Sequence, residues 1–122
     1  MPTQRKIVGI IDDDPSMLTA AENLLDAHGF ATKSFASAEE FLASGSTPKI
    51  HCLLLDIHLG GMSGVDLFHY LEAKGSGLPV VFMTALDNEA VRQQALAAGG
   101  VACLRKPFAA RDLIGAIGRA LQ

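Results

Sequence analysis

The 122-residue chain has no tryptophan, one tyrosine and two cysteines. The cysteines, Cys52 and Cys103, stand apart, each inside an apolar run. They read as buried thiols of a reducing, cytoplasmic compartment, and a disulfide scaffold is not expected. No apolar run approaches the length of a membrane span. Met1–Lys6 is polar and has no signal-type apolar stretch behind it. Basic residues are outnumbered, ten to thirteen, for a formal charge of −3. That balance gives no electrostatic reason for this domain to bind nucleic acid. No repeat, linker or low-complexity tract appears, and no Gly-rich phosphate loop follows the first apolar run. What is plentiful is apolar side chain, at 49%. That suffices for one core, and residues 1–122 are read as a single domain.

Apolar runs of four or five residues alternate with stretches of helical spacing. The runs lack polar alternation, as in parallel strands covered on both faces. Strands are expected at Lys6–Ile11, Ala31–Phe35, Ile50–Leu55, from Pro79 to Thr84, and at Val101–Leu104. The first helix should open at Pro15 with Asp14 as its N-cap, bury Leu18, Ala21, Leu24 and Leu25, and end at Gly29. Ser37-Ala38-Glu39-Glu40 reads as a capping box opening a short helix with Phe41 and Leu42 inward. A loop then runs to Lys49. Ser63 to Asp66 opens the third helix, with Val65, Phe68 and Leu71 inward. Asp87 is expected to cap the fourth, which buries Ala90, Val91, Ala95 and Leu96 before Gly99-Gly100. The fifth runs from about Ala109 to Leu121. Strands alternating with helices imply right-handed βαβ units and a (βα)5 three-layer sandwich.

Polar groups of complementary chemistry stand just past the apolar runs. Asp12-Asp13-Asp14 follows the first run, Asp56 ends the third, Thr84 the fourth, and Lys106-Pro107 follows the fifth. In an open α/β sheet, ligands bind outside the carboxyl ends of the strands, so the fold should gather these groups. Asp12, Asp13 and Asp56 in one pocket repel unless a cation offsets them. Mg²⁺ suits oxygen donors of this kind. Asp56 is then free to attack phosphorus as a carboxylate nucleophile. Thr84 offers a neutral donor to one phosphoryl oxygen and Lys106 a charged one to another. Asp14 alone reads better as a helix cap.

At these residues the chain resembles the receiver domains of two-component response regulators. The matching stretches are Ile10-Ile11-Asp12-Asp13-Asp14, Leu54-Leu55-Asp56 with Met62-Ser63-Gly64, Met83-Thr84-Ala85, and Lys106-Pro107-Phe108. They stand in the family's order and spacing and span essentially the whole chain. The resemblance implies a flavodoxin-like sheet in the order 2-1-3-4-5. It implies that Asp56 is the phosphoacceptor, taking a phosphoryl group from a sensor histidine kinase or phosphotransfer protein with Mg²⁺ (or Mn²⁺). Asp13 and Asp56 would ligate the metal, with the His58 backbone carbonyl, and Asp12 would reach it through water. Thr84 and Lys106 would contact the phosphoryl group, and Lys106–Pro107 would be a cis peptide. Activity would be limited to self-phosphorylation from phosphodonors and slow autodephosphorylation, and the response would alter the surface around helix four, strand five and helix five. The segments Ser37–Leu42 and Lys106–Phe108 most resemble the subfamily often fused to helix-turn-helix output domains.

The chain also departs from that pattern. Met-Pro is common at the third and fourth positions past the acceptor, and here Leu59 and Gly60 stand there. A Gly60-Gly61 pair should loosen the loop. The family's switch aromatic, three residues before the lysine, is Cys103. Readout is therefore expected to pass through Thr84 and movement of Ala85–Asn88. His58 and Leu86 occupy positions that tune phosphoryl lifetime in the family: an apolar Leu86 should hinder the attacking water, and His58 can orient it. Gly115 and Gly118 suggest close packing in helix five, most simply against the domain's own sheet or helix four. A homodimer through the helix-four, strand-five, helix-five face is the functional alternative. An aspartate-nucleophile phosphatase fits poorly, since its second acid would stand where His58 does. A receiver reduced to an interaction module, without regulated phosphorylation, remains the main competing expectation.

Overall fold

The computed structural model describes residues 5–122. In chain order it contains β1 (Ile7–Ile11), α1 (Pro15–Ala27), β2 (Ala31–Phe35), α2 (Ala38–Ser44), β3 (Cys52–Asp56), α3 (Gly64–Ala73), β4 (Val80–Thr84), α4 (Glu89–Ala98), β5 (Ala102–Arg105) and α5 (Ala110–Ala120). The strands form one parallel sheet in the order β2-β1-β3-β4-β5, as expected. Alternate side chains of each strand feed two separate cores. Ile11, Leu53, Leu55 and Phe82 meet Phe41, Leu67, Phe68 and Ala95 on the α2–α3–α4 side. Val8, Ile10, Leu54 and Met83 meet Ala21, Leu25, Leu113 and Ile117 on the α1–α5 side. Both faces of the sheet are thus covered, which explains the unbroken apolar runs. Truncating one of these buried leucines to alanine typically costs about 2–5 kcal/mol. Among the described residues, no helix is long and apolar enough to cross a membrane.

Local chemistry sets the helix starts. Asp14 accepts from the Ser16 N–H at 2.9 Å, and Pro15 occupies the first turn of α1. Ser37 accepts from the Glu40 N–H at 3.0 Å. The return bond of that box goes to Ala36 rather than to the cap, since the Glu40 carboxylate accepts from the Ala36 N–H at 3.4 Å. The cap of α4 is Asn88, not Asp87: Asn88 Oδ1 accepts from Ala90 and Val91 at 2.9 and 3.3 Å. Both residue types cap well, and the turn after β4 is long enough to deliver the later one. Asp87 lies instead 3.8 Å from the Arg105 guanidinium. Ala90 is exposed rather than buried, and Val91 and Ala95 face the core. A short 3₁₀ turn, Thr47–Lys49, stands where open loop was expected, and Ile50 precedes β3 rather than starting it. Gly115 and Gly118 are corrected too. Both face outward, with nothing within 4 Å of the position a Cβ would take, so neither serves close packing inside the domain.

Candidate functional site

The sheet order brings the ends of β1, β3 and β4 together, with β5 beside β4. Asp56 is the last residue of β3 and pairs with Met83, so Thr84 stands one residue further along the neighbouring strand. Asp12 follows β1, held in line by its N–H donating to the Phe35 carbonyl at 3.2 Å. Past β5, the Lys106 N–H donates to the Thr84 carbonyl at 2.8 Å, which aims the lysine side chain back over the strand ends. The Lys106–Pro107 bond is cis. At α3, Gly64 approaches β3 so closely that a Cβ would sit 2.2 Å from the Asp56 carbonyl oxygen. Only glycine fits there.

The result is a compact ionic cluster. Carboxylate oxygens of Asp12, Asp13 and Asp56 all lie within 4.8 Å of one another. Asp12 is wholly buried and Asp56 is 4% exposed, whereas Asp13 faces solvent. Lys106 Nζ donates to Asp12 Oδ2 at 2.7 Å and to Asp56 Oδ2 at 3.2 Å. The other Asp56 oxygen accepts from the His58 N–H at 3.0 Å. The other Asp12 oxygen accepts from the Asp14 N–H at 2.9 Å. Burial pushes the Asp56 carboxyl above the ordinary aspartate value; the His58 N–H and Lys106 pull against that shift, and Asp12 adds to it. Burial alone would lower the Lys106 ammonium. Its hydrogen bond to Asp12 and the two carboxylate charges outweigh that and hold it above the ordinary lysine value. The cluster therefore has carboxylate charge in excess of its one cation. It offers hard oxygen donors on an open side at Asp13, which fits a small divalent cation.

Of the other sequence-derived candidates, Thr84 is 3% exposed, and its Oγ1 accepts from the Leu86 N–H at 3.1 Å. The His58 and Leu86 side chains are exposed on the rim. Cys103 is half-buried away from the carboxylates, near Arg92. Burial raises the thiols of both Cys52 and Cys103, that of Cys52 up to about 12. Leu59 turns inward and joins the α2–α3–α4 core. One supporting residue escaped sequence reasoning: Glu39, on α2, accepts from the Met62 N–H at 3.0 Å. This contact lowers the Glu39 carboxyl and ties down the loop in which Gly60 and Gly61 sit. Nothing local signals a contact spanning 23 positions.

The description "response regulator receiver domain" matches residues 8–118. The chain belongs to the receiver-domain family of response regulators. This receiver domain is 34% identical over its whole length to the response regulator protein TmoT of Ectopseudomonas mendocina, 56% of which it covers. Over 103 residues it is 35% identical to the C4-dicarboxylate transport transcriptional regulatory protein DctR of Rhodobacter capsulatus, covering 83% of this chain and 52% of DctR. The receiver domain thus spans about half the length of the curated relatives it matches. Among solved structures it resembles the response regulator StyR, with a TM-score of 0.87 and 38% identity over 98% of this chain and 60% of that one. FixJ-N gives the same TM-score at 32% identity, over 98% and 95% of the two chains.

Proposed function

We propose that this receiver domain is a phosphorylation-controlled switch in which Asp56 accepts a phosphoryl group from the phosphohistidine of a sensor histidine kinase or phosphotransfer protein. The single observation that carries the reading is Asp56 itself: a buried carboxylate at a strand end, flanked by two further carboxylates and one lysine. An Asp56 oxygen attacks phosphorus and forms an acyl phosphate as the P–N bond to the donor histidine breaks. The departing imidazole keeps that bond's electron pair. Burial strips the nucleophile of competing water, and the His58 N–H fixes its orientation. Lys106, already within 3.2 Å, neutralises a phosphoryl oxygen as charge accumulates. Thr84 donates its hydroxyl proton to a second oxygen. Asp13 and Asp56, with the His58 carbonyl and Asp12 through water, are the groups that would hold Mg²⁺ or Mn²⁺. When bound, that ion supplies charge neutralisation for the phosphoryl group.

Thr84 also carries the output. Its Oγ1 holds the Leu86 N–H, so drawing the hydroxyl toward a phosphoryl oxygen pulls on Ala85–Asn88 and the start of α4. The segment moves without the aromatic rotamer that Cys103 cannot provide. Leu86, 47% exposed at the rim, slows entry of the hydrolysing water, and the domain is otherwise not an enzyme.

The test is intact mass after incubation with acetyl phosphate and Mg²⁺, beside Asp56→Asn and a Mg²⁺-free sample. One added phosphoryl group, absent from both controls, is expected. An unchanged mass with no release of inorganic phosphate would leave an interaction module instead.

A further inference from the structure

Of the two glutamates that follow Ser37-Ala38, only Glu40 serves the start of α2, through its bond to Ala36. Glu39 is engaged elsewhere. Its Oε2 accepts from the Met62 N–H at 3.0 Å, on the loop between β3 and α3. The same carboxylate lies against Gly61, where a Cβ would stand 3.0 Å from Oε2 and 3.4 Å from Oε1. Gly61 has a φ of +78°, so glycine is required twice, for the backbone and for the approach of the carboxylate. That fit is closer than a solvated surface charge needs. We propose that Glu39 is a positioning residue for the divalent-ion site: through Met62 it holds the shape of the β3–α3 loop and so sets how tightly the ion binds, a role that rests on the His58 carbonyl ligating that ion.

The loop needs such a hold. At its start the His58 N–H donates to Asp56 Oδ1 at 3.0 Å, and at its end the Gly64 N–H closes on the Ile57 carbonyl at 2.9 Å. Between those bonds, among the described residues, no backbone N–H from Leu59 to Gly61 has a hydrogen-bond acceptor. Leu59 is buried in the α2–α3–α4 core, and the Met62 side chain packs against that core. Gly60 and Gly61 lie between these two anchors, and Gly60 has open space where a Cβ would be. Two successive glycines leave the main chain weakly restrained. The Met62 N–H is the next point at which the backbone itself is held.

The holder is itself well anchored. Glu39 stands in the first turn of α2, two residues before Phe41, which is fully buried with its ring edge-on to Phe35 at 5.2 Å between centroids. Releasing Met62 widens the range of loop shapes around His58. The ion must then select one shape from a broader set, which lowers its apparent affinity. The bonds of Asp56 to Lys106 and to the His58 N–H are made without Glu39, so the reacting groups keep their places. Loss of Glu39 therefore weakens the ion without slowing transfer once the ion is in place.

The experiment titrates Mg²⁺ alone into isotope-labelled wild type, Glu39→Ala and Glu39→Gln and follows the amide NMR resonances, with no phosphodonor present. Glu39 is exposed, and cooperative melting of each variant confirms that it folds. The Mg²⁺ Kd is expected to rise on the order of fivefold in Glu39→Ala, less than the roughly tenfold or more typical when an outer-shell group bonds a ligand directly. Glu39→Gln keeps an amide oxygen that accepts from the Met62 N–H, and its Kd is expected to stay within about twofold of wild type. A merely structural Glu39 would lower the metal-free Tm and leave the Kd alone. A merely electrostatic one would make Glu39→Gln as weak as Glu39→Ala. Either result overturns the proposal, as does a wild type whose resonances ignore Mg²⁺. Acetyl phosphate then separates this role from the switch reading. Phosphate uptake with equal Mg²⁺ Kd values in wild type and Glu39→Ala removes the positioning role and leaves the switch. Differing Kd values, restored by glutamine while no domain takes up phosphate, leave the positioning role and remove the switch.

Discussion

Each polar side chain at the cluster trades solvation for position, and Asp56 shows the consequence most directly. Its charged form is disfavoured by burial and by Asp12, so its pKa is raised in the folded protein. Below the carboxylate range Asp56 is protonated in both folded and unfolded chains, and Asp56→Asn should match wild type in stability. As pH climbs through the unfolded and then the raised folded pKa, wild type loses stability that the variant keeps. In metal-free buffer at neutral pH, Asp56→Asn is expected to melt higher than wild type. Thermal unfolding of both proteins across the acid range checks this. A constant difference at every pH would show that packing, not charge, separates them. This residue-level chemistry was legible in the sequence because Asp56, Thr84 and Lys106 each follow an apolar run. Asp87 and Asn88 were not separable in the same way. Both side chains accept from a helix N-terminus, and only the path of the turn after β4 decides between them.

Among the elements, α3 carries the tightest constraint. Its first residue, Gly64, donates its N–H to the Ile57 carbonyl at 2.9 Å and rests against the Asp56 carbonyl. Gly64→Ala drives a methyl group into backbone that has no rotamer to escape by. Destabilisation of about 1–3 kcal/mol is expected, together with slower phosphorylation, since the last residue of β3 must shift. Urea unfolding and the acetyl phosphate reaction read the two effects. Loss of stability at an unchanged phosphorylation rate would place the strain entirely in α3. Element order was readable because parallel strands covered on both faces leave long apolar runs. The outward placement of Gly115 and Gly118 was not readable, since a glycine has no side chain to betray which face it occupies. The Glu39 contact to Met62 joins α2 to a loop beyond β3, and no periodicity encodes such a tie.

At the scale of the whole molecule, the cluster holds more carboxylate than cation, and a divalent ion should stabilise the fold. At a concentration a hundred times its Kd, the gain is about 2.7 kcal/mol. The Tm is expected to rise with Mg²⁺ and saturate. The rise should shrink in Asp13→Asn, where the lost carboxylate faces solvent and its removal leaves the core intact. An equal rise in both proteins would assign the ion elsewhere. The bond from Lys106 to Asp12 crosses 94 positions of sequence. A ribosome delivers Asp12 early and Lys106 only after all five strands have been made. Until β5 docks, the acidic pocket lacks its one cation and Asp56 lacks its partner. A half-made chain therefore cannot hold the finished carboxylate–lysine cluster, and translation completes that site only when the sheet is whole.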